Sequence, residues 1–436
     1  MKRVIDKQLV NWKNKKRRKP LILRGARQVG KTYSLKHFGS GQFHDTILID
    51  FEKIPEYVTI FDTDFDIRRI IREIEILTRK KIIPGKTLLI LDEVQLAPRA
   101  IMSLRYFYEE VPELHIIAAG SLIEFAFSQI SVPVGRVQFM YMYPMNFYEF
   151  LLACNFNDLA KIINEKPQKL SPVIHKKLLE ELKNYFFTGG MPECVKTYAE
   201  TGDFIEISEV HSEIVSSYKL DFTKYTPKID INCLTETLNE VSKSIGQQIK
   251  YSRLTSHFSV PTTKKALFLL EKARLVKTTY SVNPPDLPFS FSAKKNIFKA
   301  IFLDIGLMQH INGLDFKGEF LKAELLNIYN GALAEQFVGQ EMFMAQNDEL
   351  YYWSRQAKSS NAEVDFLASY HNNILGIEVK SGASGSLKSL HLLLKENPQI
   401  KEGIVFSTRE YSAIPEQRLR FIPIYYAGAN FTLTTP

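Results

Sequence analysis

Two groups of residues in this chain have types and spacings that could do chemistry. The first is Gly25-Ala26-Arg27-Gln28-Val29-Gly30-Lys31-Thr32, which fits the pattern GxxxxGK[ST] without mismatch. Backbone N–H groups of such a loop, with the positive end of the helix that follows, form an anion site. Lys31 would reach the β- and γ-phosphates of a nucleotide, and the Thr32 hydroxyl would bind Mg²⁺. Asp92-Glu93 completes the group, at the end of the apolar run Leu88-Leu89-Ile90-Leu91. The aspartate can hold Mg²⁺ through water, and the glutamate can orient or deprotonate an attacking water. Ser121, after another apolar run, could sense the γ-phosphate, cap the helix starting at Leu122, or do both. Arg136 could be an arginine finger in cis or in trans, because a guanidinium stabilises transition-state charge, or an exposed structural residue. Arg27 and Arg99 are lesser candidates for the same task.

The second group lies late in the chain: Glu335, Asp365 and Glu378-Val379-Lys380. Carboxylates on adjacent strands can converge on Mg²⁺ ions, which lower the pKa of bound water and stabilise a departing alkoxide. Lys380 shares a strand face with Glu378, because side chains alternate, and could steady the hydroxide or the phosphate. The expected metal ligands are therefore Thr32 and Asp92 early, and Glu335, Asp365 and Glu378 late. The late residues could instead be salt-bridged strand ends, or a nuclease fold that has lost activity.

The elements that must position these groups follow from apolar runs and breakers. Leu21-Ile22-Leu23 reads as a buried parallel strand, and 32–38 as a helix that runs out at Gly39-Ser40-Gly41. Further strands at 46–50, 87–91 and 115–119 alternate with helices at 67–76 and 100–110. That alternation predicts a parallel α/β sheet with ligands at the carboxyl ends of its strands, where Gly25, Asp92 and Ser121 fall. From Phe147 the pattern turns helical: 159–185, broken at Pro167 and Pro172, then a loop at 188–193, then 205–219. Short helices at 231–241, 252–258 and 263–273 precede strands at 275–282 and 297–302, with a hinge or wing loop at 284–288. This order resembles a winged-helix unit. Lys264 and Lys265 fall on its third helix, which either reads a nucleic-acid groove or is a solvated face. A helix at 304–311 follows.

The last part begins near Phe320, with a helix at 325–343 carrying Glu335. Strands are expected at 349–354, 362–368, 374–379, 403–407 and 421–426, and a helix at 387–394. The expected domains are a P-loop core over 1–150, a helical lid-like region over 151–230, a winged-helix-like domain over 231–315 and a nuclease-like domain over 316–436.

The bulk numbers suit this division. A chain of 436 residues is too long for one ordinary core. Hydrophobic content of 45% and charged content of 24% are those of a folded globular protein, which excludes wholesale disorder. The formal charge of +8 permits a nucleic-acid partner without requiring one. The basic run from Lys13 to Lys19 could touch nucleic acid or form a solvated face. Cys154, Cys194 and Cys233 are far apart and show no CxxC spacing, so neither a zinc site nor a disulfide framework is expected. The first residues lack the apolar core of a signal peptide. The most apolar stretch, 139–154, carries Pro144, Asn146 and Glu149 and is too short to span a membrane. A soluble, cytoplasmic protein with no membrane partner is expected.

At these motifs the chain resembles the prokaryotic AAA+-like P-loop ATPases that carry a C-terminal domain of unknown function with a PD-(D/E)xK restriction-endonuclease-like core. The resemblance rests on Gly25 to Thr32, Leu91-Asp92-Glu93-Val94-Gln95 and Gly120-Ser121. It also rests on Gly135-Arg136 ahead of Pro144-Met145-Asn146-Phe147-Tyr148-Glu149-Phe150, on Gly331-Ala332-Leu333-Ala334-Glu335, on Glu363-Val364-Asp365 and on Glu378-Val379-Lys380. It covers nearly the full length, with no departure at the motif positions. It implies ATP and Mg²⁺ as cofactors, an ATP-hydrolysing first domain, and a last domain that acts on or binds DNA. AAA+-like proteins often assemble into rings, so a homo-oligomer is compatible with the sequence. The alternative is a nucleotide-gated regulatory module with slow hydrolysis and inert late carboxylates.

Overall fold

A computed structural model of the chain describes residues 1–127, 130–225, 229–313, 330–346, 349–356, 361–370, 372–380 and 386–428. It divides into two compact units. The first comprises residues 1–143 together with Lys272–Arg274, and the second residues 144–271 and 275–436.

The first unit is built on a parallel sheet. Its strands are β1 (Leu21–Arg24), β2 (Asp45–Asp50), β3 (Thr87–Asp92), β4 (His115–Gly120) and β5 (Gln138–Tyr141), in the order β2-β3-β4-β1-β5. Every neighbouring pair is parallel. The helices are α1 (Val4–Lys13), α2 (Lys31–Gln42), α3 (Thr59–Asp62), α4 (Ile67–Thr78), α5 (Pro98–Glu110) and α6 (Ile123–Phe127). β3 and β4 are buried along their whole length, as apolar runs flanked on both sides must be. α4 forms because Asp66 caps it, accepting from the Arg68 and Arg69 N–H groups, and because Ile67, Ile70 and Ile74 recur at helical spacing and are buried. The chain leaves β1 for the far edge at β2, returns through β3 and β4, then crosses to β5. β1 and β4 are thus neighbours whose outgoing connections run in opposite directions. That arrangement opens a crevice at their carboxyl ends.

The second unit begins with helices: α7 (Phe147–Ala153), α8 (Asn157–Ile163), α9 (Pro172–Thr188), α10 (Pro192–Thr201), α11 (Phe204–Tyr225) and α12 (Ile231–Lys243). The Pro144 to Phe150 motif acquires a plain structural reason here. Asn146 accepts from the Glu149 N–H at 2.9 Å while Glu149 accepts from the Asn146 N–H at 3.1 Å, a capping box that starts α7. After β6 (Ile249–Lys250), α13 (Val260–Lys272), β7 (Val276–Val282), β8 (Ala293–Phe302) and α14 (Ile305–Ile311) come α15 (Asn330–Gln346), β9 (Tyr351–Gln356), β10 (Asn361–Tyr370), β11 (Asn373–Val379) and α16 (Lys388–Glu396). β12 (Ile400–Ser407), β13 (Ser412–Ile414) and β14 (Leu419–Pro423) close the unit. Its strands among the described residues belong to one mixed sheet, β13-β14-β12-β11-β10-β9-β7-β8-β6. The antiparallel set β7-β8-β6 follows α12 and brackets α13, and residues 283–292 connect β7 to β8. It is continuous with the later strands through the parallel pair β7–β9. A core of Trp353, Val364, Leu367, Leu390, Leu393 and Val405 packs beneath the later strands and α16.

Several local expectations change. The helix expected at 252–258 is a single 3-10 turn, Tyr251–Arg253. Pro172 starts α9 and Pro192 starts α10, where a proline's missing N–H costs nothing, so the loop at 188–193 is shorter than its composition suggests. The apolar stretch 139–154 is strand β5, a turn and helix α7. The expected start near Phe320 and the first part of the helix expected at 325–343 lie outside the described residues. Among the described residues no helix is long and apolar enough to cross a membrane.

Candidate functional site

The glycine loop spans the end of β1 and the start of α2, and its backbone explains its composition. Gly30 has φ 93° and Gln28 φ 62°, so the loop takes the left-handed conformation at two positions, the kind of backbone from which anion-binding nests are built. A Cβ on Gly25 would lie 2.2 Å from the Met142 carbonyl oxygen, just past β5. Lys31 is buried, and its ammonium donates to the carbonyls of Gly25 at 3.0 Å and Ala26 at 2.7 Å. Burial lowers its pKa to about 8, against the opposing pull of the Glu93, Asp92 and Glu124 carboxylates.

Thr32 and Asp92 meet although β4 lies between their strands. α2 packs over β2, β3 and β4 and carries Thr32 across to the end of β3. The Thr32 hydroxyl donates to Asp92 Oδ2 at 2.6 Å. Burial raises the Asp92 pKa, and the Thr32 hydrogen bond opposes that rise. A hydroxyl beside a carboxylate is an all-oxygen donor set of the kind Mg²⁺ prefers. Glu93 has φ 50°, an uncommon conformation for a side-chain-bearing residue, and accepts from Gln95 Nε2 at 2.5 Å. Gln95 in turn lies against Gly120, where a Cβ would sit 2.1 Å from its Oε1. Sequence reasoning passed over Gln95 as a working residue, although it stands two positions after the glutamate. Ser121 is buried at the carboxyl end of β4, next to β1, and α6 begins at Ile123 rather than Leu122.

Arg136 is placed elsewhere. β5 starts level with the first residue of β1, since Gln138 pairs with Leu21, and Arg136 precedes that start. It therefore lies at the amino ends of the parallel strands, opposite the glycine loop, and donates to Glu109 at 2.9 Å. This geometry removes the in-cis finger. Arg99 donates to the Phe61 carbonyl at 2.9 Å and stacks on Phe65, a structural tie. Arg27 is part-exposed and 3.9 Å from Glu52.

Sequence reasoning missed another cluster beside the loop. Arg24, the last residue of β1, is 2.9 Å from Glu124 on α6, and Arg274 is 2.6 Å from the same oxygen. Arg274 also sits over the Tyr141 ring at 4.4 Å. Nothing in the local sequence around Arg274 signals this pairing.

Residues 17–151 match the family model described as an AAA domain. The first unit is AAA+-like. Residues 179–318 and 330–426 match two models described as domains of unknown function, DUF8612 and DUF4143. No curated protein matches the chain. Among solved structures the chain is similar to the Walker-type ATPase PABY2304 of Pyrococcus abyssi, at 14% identity and TM-score 0.45, covering 71% of this chain and 95% of that one. It is also similar to the Aeropyrum pernix ORC1 protein solved in complex with DNA, at 10% identity and TM-score 0.29, covering 73% and 92%. C. elegans PCH-2 is a further likeness, at 11% identity and TM-score 0.26, covering 46% and 62%.

The late carboxylates gather in the second unit, around a residue sequence reasoning did not select. Lys299 of β8 is buried, and its ammonium lies 2.5 Å from Glu335, 2.7 Å from Glu363 and 3.5 Å from Asp365. Those carboxylates hold its pKa well above the ordinary value against the opposing effect of burial. Asp365 Oδ2 accepts from the Val379 N–H at 2.8 Å, which ties β10 to β11. Glu378 and Lys380 pair at 2.6 Å, as their shared strand face predicts. Burial raises Glu335 to about 8 and Glu378 to about 7. Among the described residues no group of three or more His, Cys, Asp or Glu side chains is placed to hold a metal ion. The signal for Lys299 is a lysine inside the apolar strand Ile297-Phe298-Lys299-Ala300-Ile301-Phe302.

Proposed function

We propose that the AAA+-like unit binds and hydrolyses ATP with Mg²⁺, and that the second unit is a nuclease-like module that engages DNA. The observation that carries the first half is the Thr32–Asp92 contact at 2.6 Å beside the buried Lys31. Thr32 and Asp92 would hold Mg²⁺, which neutralises phosphate charge. Lys31 would exchange its loop carbonyls for the β- and γ-phosphates, with the loop's N–H groups closing around the same oxygens. Glu93, held by Gln95, is the residue that would orient the attacking water, and Ser121 would contact the terminal phosphate.

The second half is supported by exposed lysines on the winged-helix-like part. Lys264 and Lys265 are exposed on α13, and Lys294 and Lys295 on β8 beside the hairpin loop. A third helix and a wing that both carry ammonium groups suit a phosphate backbone. If Arg136 serves as a finger, it serves a second copy of this chain in a cytoplasmic homo-oligomer. Mixing Lys31→Ala and Arg136→Ala chains would then recover turnover that neither shows alone.

The deciding experiment is ATP hydrolysis by the wild type and by Glu93→Gln, with and without DNA. DNA-stimulated turnover that Glu93→Gln removes is expected. A rate unchanged by Glu93→Gln, or by Lys31→Ala, sinks the ATPase reading, and a rate indifferent to DNA sinks the partnership.

A further inference from the structure

The late carboxylates do not fit a metal. Glu335 and Asp365, two of the three expected ligands, are both turned onto the Lys299 ammonium, and the third, Glu378, is turned onto Lys380. An ammonium has three N–H donors and no acceptor. Here Glu335, Glu363 and Asp365 surround it. The remaining oxygen of Glu363 is also engaged, accepting from Gln248 Nε2 at 2.5 Å. The Tyr352 ring covers the ammonium at 5.6 Å. The two halves of this cage come from different parts of the unit. Lys299 and Gln248 belong to the winged-helix-like part, whereas Glu335, Glu363 and Asp365 belong to α15 and β10. The parallel β7–β9 pair holds the two parts in one sheet.

We propose that the Lys299 ammonium stands where a nuclease-type centre would hold its divalent cation, so that the late carboxylates clamp the winged-helix-like part instead of binding metal. This rests on the nuclease-like reading of the second unit. It predicts that DNA is bound there and not cleaved through a metal at Asp365 and Glu378. It also makes the site a latent one: without the ammonium, Glu335, Glu363 and Asp365 lose their shared counter-charge, which a divalent cation would replace once the carboxylates readjust around it.

The test is Mn²⁺ binding to the nucleotide-free full chain, followed by electron paramagnetic resonance. Asp92→Asn is present in every sample, so that the first unit's carboxylate takes no part. With Lys299 intact, no Mn²⁺ signal should depend on Asp365. With Lys299→Met, one Mn²⁺ per chain should appear, vanish on adding Asp365→Asn, and raise the thermal midpoint of that variant alone. Mn²⁺ bound in the presence of Lys299 and lost on Asp365→Asn would overturn the substitution while leaving a nuclease-like unit standing. A folded Lys299→Met chain, checked by circular dichroism, that gains no Mn²⁺ would overturn the nuclease-type origin itself. Should Lys299→Met fail to fold, the comparison with Lys299 intact still decides, because it needs no change at that position.

Discussion

Lys31 sits between two sets of partners. Its ammonium donates to carbonyls of its own loop, and burial brings its pKa down to about 8 from the ordinary 10.5. Phosphate oxygens would favour the charged form and raise that pKa again, so nucleotide binding takes up a proton above about pH 8. Nucleotide affinity should therefore be flat below that value and fall by up to about tenfold per pH unit above it. Calorimetric titrations at about pH 7 and about pH 9 check this, and equal affinities at both would show that Lys31 stays charged throughout. Gly25 makes a steric prediction instead. An alanine there would put its Cβ 2.2 Å from a backbone carbonyl, which cannot swing aside as a side chain could. Gly25→Ala should lose about 1–3 kcal/mol in urea denaturation and lose nucleotide binding with it.

At the scale of elements, Asp304 shows how a helix start is tied to a distant loop. It caps α14, accepting from Leu307 N–H at 3.0 Å, and its other oxygen accepts from Gly190 N–H at 2.6 Å. Gly189, at φ 69°, makes the approach possible, since a Cβ there would lie 2.2 Å from the carboxylate. Asp304→Ala should cost about 1–3 kcal/mol, because two buried N–H groups lose their acceptor. Burial raises the carboxyl pKa to about 6 from 3.8. The folded state therefore holds a proton that the unfolded state has released, and the Asp304 contribution to stability declines as pH rises from about 4 to about 6. Asp304→Asn keeps an acceptor and removes the titration, so its denaturation midpoint should vary less across that window than the wild type's.

The same elements show what was legible beforehand. β1, β3 and β4 were readable because runs such as Leu88-Leu89-Ile90-Leu91 are buried on both faces and end in the residues that matter. β5 was not, because Phe139-Met140-Tyr141 reads as part of a longer apolar stretch and only its pairing with β1 makes it a strand. α10 was hidden by Gly189-Gly190-Met191-Pro192, where the glycines signal a turn and the proline begins a helix. The late carboxylates were found from spacing, but their partner was not. Lys299 precedes Asp365 by more than sixty positions, and only the pairing of β7 with both β8 and β9 brings it among them.

At the scale of the molecule, the chain passes between the two units more than once. Lys272–Arg274 counts with the AAA+-like unit, while α13 before it and β7 after it count with the second. Arg274 grips Glu124, which follows Ser121 by three positions and contributes to the charge environment of Lys31. Arg274 also stands two positions after the last residue of α13, the helix that carries Lys264 and Lys265, and two before the first of β7. If ATP turnover and DNA binding are linked as proposed, this grip should carry the coupling. Arg274→Ala should therefore lower the ratio of DNA-stimulated to basal ATP hydrolysis more than it lowers the basal rate. Arg274→Lys should restore only part of it, because a compact ammonium cannot hold Glu124 and cover the Tyr141 ring at once as the broad guanidinium does. Measuring both rates for the wild type and the two variants separates this from general damage to the site. A loss of both rates in proportion would mean that Arg274 merely supports the loop and that the units communicate through the Tyr143–Pro144 junction instead.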